Sequence, residues 1–166
     1  MTTIEPRPDV TVRTVTRADL LAVFRIEKRS FTQPWPYAAF EGFLDEPGFL
    51  VAVRGTKPDD TVLGYIVADT VPNDSEQIGH IKDLAVDPHA RGRGIGSRLL
   101  ERGLSILARE DVERVKLEVR RSNEAPRRLY QRFGFEIHHV RSGYYDDGED
   151  ALVMARSIDR SPNTPW

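Results

Sequence analysis

Apolar residues fall along this chain in short blocks whose spacing predicts strands and helices. Alternating or β-branched blocks predict seven strands, over 10–15, 49–53, 62–68, 78–86, 115–119, 135–140 and 152–155. Apolar residues at helical spacing predict four helices, over 16–29, from Phe40 to Leu44, over 95–110, and from Ser122 or Asn123 to Phe133. Strands and helices mixed in this order predict an α/β (α+β) fold around one sheet.

The strand predicted over 78–86 breaks the alternation of a regular strand. Successive side chains point to opposite faces of a sheet, so Ile81 and Leu84 would lie on different faces although both are apolar. One extra residue between them would return both to the same face. We therefore predict a β-bulge between Ile81 and Leu84.

The composition is that of one ordinary domain. The chain has 166 residues, 39% of them hydrophobic and 30% charged, which is enough to bury a core. We predict one domain over 10–157, with flexible tails over 1–9 and 158–166. The net charge of -2, with both signs mixed along the chain, argues against nucleic acid as a partner. Because the apolar runs are short and the first residues show no signal pattern, we expect a cytoplasmic protein without membrane contact.

Several kinds of site are excluded by the residue types. The chain has no cysteine, which rules out disulfides, thiolate metal sites and a cysteine nucleophile. The four histidines stand at 80, 89, 138 and 139 without the spacing of metal ligands, so we predict no metal. No serine stands in a Gly-x-Ser-x-Gly setting, which excludes the usual hydrolase nucleophile.

The most informative segment is the glycine-rich loop Arg91 to Gly96, between a predicted strand and a predicted helix. Glycines there expose backbone N–H groups, and the helix start and the arginines add positive charge, so the loop suits a pyrophosphate. A tight turn from strand to helix would also explain the glycines, and this pattern alone leaves both readings open. The glycine spacing does not fit the dinucleotide fingerprint, which argues against a nicotinamide cofactor.

Two longer runs carry a resemblance to a known family. Asp83 to Pro88, Arg91 to Gly96, Leu99 and Leu100 resemble the acetyl-coenzyme A (acetyl-CoA) signature of the GNAT superfamily of N-acetyltransferases. The second run resembles the RimI branch of that family, which acetylates protein N-termini. Its residues are Leu117 to Arg120, Ser122, Asn123, Leu129, Tyr130, Phe133 to Phe135, Tyr144, Tyr145, Asp147 to Leu152 and Met154. The resemblance covers 10–156.

This resemblance implies a GNAT fold, in which a mixed and mostly antiparallel sheet of about seven strands opens into a V-shaped cleft. Acetyl-CoA would lie along the bulged strand, with its pyrophosphate at the glycine-rich loop. The cofactor-binding residues implied in this way are Leu84, Ala85, Val86, Arg91, Gly92, Arg93, Gly94, Gly96, Ser97, Asn123 and Tyr130. Asn123 also stands where it can cap a helix.

The resemblance assigns Glu118 as general base and Tyr130 as general acid. Taken alone, Glu118 would be read as a surface glutamate paired with Lys116 or Arg120. An exposed carboxylate is a weak base for an ammonium, so the role requires partial burial or a water relay. Taken alone, Tyr130 would be read as a residue at the rim of the core. A phenol keeps its proton at neutral pH, as a general acid must.

The substrate side is implied by two aromatic groups. Tyr144 and Tyr145 would grip the peptide end, and the loop with Phe31, Trp35 and Tyr37 would form the facing wall. The expected partner is a protein or peptide N-terminus, such as that of a ribosomal protein, and the expected assembly is a monomer or weak dimer. Acetylation of a small amine or a lysine, or a non-catalytic acyl-CoA sensor, stays open as an alternative.

Overall fold

The computed structural model describes residues 9–73 and 76–158. The predicted tails over 1–9 and 158–166 lie almost wholly outside these residues. Of the two tail residues that are described, Asp9 is exposed, whereas Ile158 is buried and its N–H donates to Glu113 O at 2.8 Å.

The described residues form one sheet of seven strands, as predicted. The strands are β1 (Val10–Thr14), β2 (Gly48–Arg54), β3 (Thr61–Asn73), β4 (Glu76–Val86), β5 (Arg114–Arg120), β6 (Glu136–Arg141) and β7 (Ala151–Ser157). Their order across the sheet is β1-β2-β3-β4-β5-β7-β6. All neighbours are antiparallel except β4 and β5, which run parallel. The mixed, mostly antiparallel sheet is therefore confirmed.

Four α-helices accompany the sheet in the described part of the chain. They are α1 (Leu20–Ser30), α2 (Tyr37–Gly42), α3 (Ile95–Arg109) and α4 (Glu124–Arg132). The first begins later than predicted, because the Asp19 carboxylate accepts from Thr16 N at 2.8 Å and closes a short 3₁₀ turn before it. None of the described helices is long and apolar enough to cross a bilayer.

Each face of the sheet carries its own apolar core. In β2, Leu50 and Ala52 pack on the side of α3, whereas Phe49 and Val51 pack on the side of α1 and α2. Burial on both faces explains why β2 is an unbroken apolar run rather than an alternating one. The sheet therefore lies between two layers of helices, with an apolar core on each of its faces.

The predicted bulge lies at Lys82. Val67 pairs with Asp83 and Ala68 pairs with Ile81, so Lys82 is the extra residue in β4. Strand β5 pairs with β4 only from Gly79 to Ile81, and the two strands separate beyond the bulge. The separation opens the sheet into a V-shaped cleft, which confirms the predicted splay.

Candidate active site

Two cavities meet in this cleft. The glycine-loop cavity, of about 360 Å³, lies between the end of β4, the loop before α3, and α4. The cleft cavity, of about 160 Å³, lies between the splayed strands and the loop after α1. Both are lined by the same five residues, which form the junction between them: Phe31, Leu84, Asn123, Pro126 and Tyr130. A ligand in one cavity is therefore in reach of a ligand in the other.

The glycine loop has a backbone that favours glycine. Gly92 and Gly94 have φ of 78° and 76°, in the left-handed region, and Gly94 directly precedes α3. A Cβ at either position would meet no atom within 4 Å, so conformation rather than crowding requires glycine there. The first N–H groups of α3 have no acceptor within the helix and carry its positive dipole end. The loop fits a phosphate-bearing ligand.

Gly96 serves a different purpose from the two glycines before it. Its φ is not in the left-handed region, but a Cβ there would lie 3.3 Å from Leu129 Cδ2 of α4. The absence of a side chain lets α3 and α4 approach each other across the glycine-loop cavity. Gly96 therefore sets the width of the cavity.

Replacing Gly94 with valine should weaken binding of the phosphate-bearing ligand, which the family resemblance implies is acetyl-CoA, by at least tenfold. A β-branched residue in the left-handed region costs about 1–2 kcal/mol and would distort the loop that begins α3. Isothermal titration with CoA measures the change. Gly55→Val is the matched control, because Gly55 has φ of 91° but lies in the loop between β2 and β3. The control should lose stability and keep its CoA affinity; an equal loss of affinity in both variants would contradict the assignment.

Most of the predicted cofactor-binding residues line the glycine-loop cavity. Those that do are Leu84, Ala85, Val86, Arg91, Gly92, Gly94, Gly96, Ser97, Asn123 and Tyr130, whereas Arg93 does not. The cavity also has lining residues that were not among the predicted cofactor-binding residues. They are Ser30, Ala90, Ile95, Ala125, Pro126, Leu129 and Arg132. No single pattern identifies them together, since they come from four separate elements: α1, the turn Pro88–Ala90, α3 and α4.

Glu118 lines the cleft cavity and has a close partner. Its side chain is 14% exposed, and its Oε2 lies 2.6 Å from His80 Nε2, whereas Lys116 Nζ is 4.0 Å from Oε1. The hydrogen bond from His80 lowers the pKa of Glu118 below its ordinary value, and burial opposes that effect only in part. Glu118 is therefore a partly buried carboxylate, ionised at neutral pH and hydrogen-bonded to an imidazole.

His80 was not singled out by the sequence. Parallel pairing sets it opposite Lys116, and Glu118 stands two residues further along the same face of β5. The contact joins residues 38 positions apart in the chain. Only the register of β4 against β5 reveals it, and the sequence pattern does not give that register.

Tyr130 stands at the junction of the two cavities. The residue is 6% exposed, and its ring packs edge-on against Phe135 with centroids 5.9 Å apart. Burial raises the pKa of its phenol well above the ordinary value, and the charge of Asp83 raises it further. Tyr130 therefore stays protonated across the physiological range and can donate a proton into the junction.

A buried carboxyl pair lies under the cleft cavity. Glu27 is 2% exposed; its Oε1 accepts from Trp35 N at 3.1 Å, and its Oε2 accepts from the Tyr65 hydroxyl. The Tyr65 hydroxyl is also 3.3 Å from Asp83 Oδ2. Burial, followed by the contact with Glu27, raises the pKa of Asp83 well above its ordinary value. This network joins α1, β3 and β4 and fixes the position of Trp35 in the loop after α1.

Arg120 spans the mouth of the cleft cavity. It bonds Gln33 Oε1 at 3.1 Å, in the loop after α1, and Asp147 Oδ2 at 2.8 Å, in the loop before β7. Its guanidinium lies 4.0 Å from the centroid of the Tyr145 ring. These contacts link the two loops to each other through Arg120. Arg120 therefore pairs with groups in the loops rather than with Glu118.

The predicted substrate-binding aromatics divide into two groups. Phe31, Trp35 and Tyr145 line the cleft cavity. Tyr37 instead packs edge-on against Phe24, with centroids 6.0 Å apart, and Tyr144 is 47% exposed. Neither of these two lines the glycine-loop cavity or the cleft cavity.

The side chains of this site can move protons and hold an anion. A carboxylate with its imidazole stands in one cavity, a protonated phenol stands at the junction, and a helix start faces the other cavity. Within 9–73 and 76–158, no three potential metal-binding side chains lie together. The arrangement suits proton transfer to and from a substrate that lies beside a phosphate-bearing ligand.

Comparison with known proteins shows which family the chain belongs to. The model of the acetyltransferase (GNAT) family matches residues 20–135. The N-alpha-acetyltransferase RimI of Mycobacterium tuberculosis is 37% identical over 150 residues, covering 89% of this chain and 92% of that protein. An N-alpha-acetyltransferase of Saccharolobus solfataricus is 32% identical over 161 residues, covering 90% and 94%.

A solved structure agrees with the sequence relatives. The ribosomal-protein-S18-alanine N-acetyltransferase of Escherichia coli superposes with a TM-score of 0.76 at 28% identity, covering 95% of this chain and 99% of that one. The family model, the sequence relatives and the fold lead to the same assignment. The chain belongs to the acetyltransferase (GNAT) family and is an acetyl-CoA-dependent N-acetyltransferase of the RimI type.

Proposed function

We propose that this enzyme acetylates the N-terminal α-amine of a protein, with acetyl-CoA as donor. The observation that carries the proposal is the junction at Tyr130, where the glycine-loop cavity meets a second cavity that contains Glu118. The names of the RimI-type relatives support an α-amine as acceptor. A ribosomal protein is one such substrate, because the Escherichia coli relative is named for one.

Acetyl-CoA supplies the acetyl group as a thioester, and the chain supplies its binding and the movement of protons. The N–H groups at the start of α3 would hold the pyrophosphate, with Arg91 beside them. The free backbone edge of β4 beyond Lys82, exposed by the splay, offers hydrogen-bonding groups to the pantetheine amides. Held in this way, the thioester end would lie at the junction.

Glu118 would take the proton that the attacking amine must lose, directly or through water. His80, bonded to the same carboxylate, offers the proton a way onward. Tyr130 would then donate its proton to the departing thiolate. Direct attack by the amine is consistent with a chain that has no cysteine to form an acyl-enzyme.

The cleft cavity gives the peptide a narrow entrance. Trp35 forms one wall, held through its backbone N–H by Glu27, and Tyr145 forms the other, stacked on Arg120. An extended N-terminus can pass between the aromatic rings, whereas a folded surface lysine would have to reach the same depth on its side chain alone. This shape favours a chain terminus over a lysine on a folded surface.

Release of CoA with a panel of short peptides tests the function. Peptides that begin with alanine, serine or methionine should support release, and the same peptides with a blocked α-amine should not. A module that only senses acyl-CoA would bind acetyl-CoA but would not form free CoA when a peptide is added. The proposed function would be overturned if no peptide with a free α-amine raised the rate of CoA formation above the rate of acetyl-CoA hydrolysis without peptide.

The pH dependence follows from the two shifted groups. The lowered pKa of Glu118 keeps the base ionised, and the raised pKa of Tyr130 keeps the acid protonated, so neither limits the rate between about pH 6 and pH 9.5. The substrate α-amine has an ordinary pKa of about 7.7–8.0. We expect kcat/KM to rise through that value and then stay level. A fall with an apparent pKa below about 9 would contradict the role of Tyr130.

A further inference from the structure

One polar atom at the cofactor site has no partner. Ser30, the last residue of α1, lines the glycine-loop cavity, and its Oγ is buried without a hydrogen-bond partner among the described residues. A buried hydroxyl without a partner is costly, and serine near a helix end commonly bonds a preceding carbonyl instead. Because Ser30 belongs to the cavity wall, a turn of its side chain about χ1 would bring the hydroxyl to a ligand there, and this points to a ligand as the missing partner.

The position of Ser30 along the cavity identifies the part of the ligand it faces. Its neighbour Phe31 stands at the junction and lines both cavities, whereas Ser30 lines the glycine-loop cavity alone. Ser30 therefore lies on the donor side of the reacting end, before the phosphate-binding start of α3. The segment of acetyl-CoA between the thioester and the pyrophosphate is the pantetheine arm, whose amides and hydroxyl can accept or donate a hydrogen bond.

The end of α1 is fixed against the same cavity. The preceding residue, Arg29, bonds Asp87 Oδ2 at 3.3 Å, just after the end of β4. Helix α1 also packs on β4 and on the turn Pro88–Ala90. The Ser30 hydroxyl is thus carried by a helix end that packs against the strand and the turn beside the cavity.

We propose that Ser30 Oγ is a coenzyme-binding group that hydrogen-bonds the pantetheine arm of acetyl-CoA. Ser30 adds a side-chain contact to the hydrogen bonds that the β4 backbone offers to the arm. The inference rests on the acetyl-CoA chemistry of the family and is independent of which amine is acetylated. No described residue bonds the hydroxyl in the free protein, so it favours binding at the expense of stability.

The test measures binding and stability of Ser30→Ala without turnover. Isothermal titration should show CoA affinity reduced about two- to tenfold, the range for one neutral hydrogen bond. Affinity for adenosine 3′,5′-bisphosphate, which lacks the pantetheine arm, should not change. The melting temperature without ligand should rise by about 2–4 °C, because an unsatisfied hydroxyl is removed from a helix.

Ser105→Ala is the matched control, since Ser105 is a half-buried helical serine in α3 that lines neither the glycine-loop cavity nor the cleft cavity. It should leave both affinities unchanged. The proposal is overturned if Ser30→Ala binds CoA as tightly as the parent, or weakens both ligands equally. A lower melting temperature of Ser30→Ala would show that the hydroxyl has a partner in the free protein and would overturn it as well. Because no peptide is present, a failure here is separate from a failure of the proposed function.

Discussion

Replacing Tyr130 with phenylalanine should lower kcat about 100-fold or more and change the affinity for acetyl-CoA by less than about twofold. The substitution removes one oxygen from a ring that is buried against Phe135, so the packing at the junction is kept. The oxygen is the one that carries the proton for the departing thiolate. Single-turnover kinetics and titration with CoA separate the two quantities.

Tyr37→Phe is the control for Tyr130→Phe, because it removes the same atom from a tyrosine that lines neither cavity. It should leave kcat within about twofold, because the hydroxyl it removes lies outside both cavities. If Tyr130→Phe lost affinity and turnover to the same extent, Tyr130 would be a binding residue and the acid role would be wrong.

Glu118→Gln should also have a large effect, a loss of kcat/KM of about 100- to 1,000-fold. Glutamine keeps the size of the side chain and can still bond His80, but it cannot accept the proton of the amine. The change should fall mainly on kcat, since the carboxylate is needed in the transition state rather than for binding. Initial rates at saturating and limiting peptide measure the split.

His80→Ala separates the carboxylate from its partner. Loss of the hydrogen bond that lowers the pKa of Glu118 should let that pKa rise toward its ordinary value. The base remains present, so the loss of kcat/KM should be smaller than in Glu118→Gln.

Glu124→Gln is the matched control for Glu118→Gln, because Glu124 is exposed on α4 and pairs only weakly with Arg128 at 3.5 Å. A Glu118→Gln enzyme within about threefold of the Glu124→Gln control would exclude Glu118 as base.

The local features of the fold could be predicted from the sequence. The bulge was predicted from the broken alternation between Ile81 and Leu84 and lies at Lys82. The glycine loop was predicted as a turn into a helix, and Gly92 and Gly94 have the positive φ that such a turn requires. Each of these depends on a few consecutive residues, whose spacing and type limit the backbone.

The contacts of the site could not be predicted in the same way. Glu118 was expected to pair with Lys116 or Arg120 unless it was catalytic, yet its close partner is His80 on a neighbouring strand. Arg120 instead joins the loops on either side of the cleft. Both outcomes depend on the register between strands that are distant in sequence, which the alternation of one strand does not determine.

The buried pair of Glu27 and Asp83 shows the same limit. The helical pattern from Leu20 to Ile26 predicts α1 but does not show that the next residue, a glutamate, faces the sheet. Its burial is stabilised by Tyr65 and by Trp35 N, which come from another strand and from the loop. Only the assembled fold brings these groups together.

The central claim is that acetyl-CoA and a protein N-terminus meet at the junction. The most direct measurement uses one peptide with a free α-amine and an internal lysine, incubated with acetyl-CoA and enzyme and then mapped by fragmentation mass spectrometry. We expect one acetyl group on the N-terminal residue, none on the lysine, and one CoA released for each product. Acetylation of the lysine alone, or no product with a peptide while a small amine is acetylated, would contradict the account.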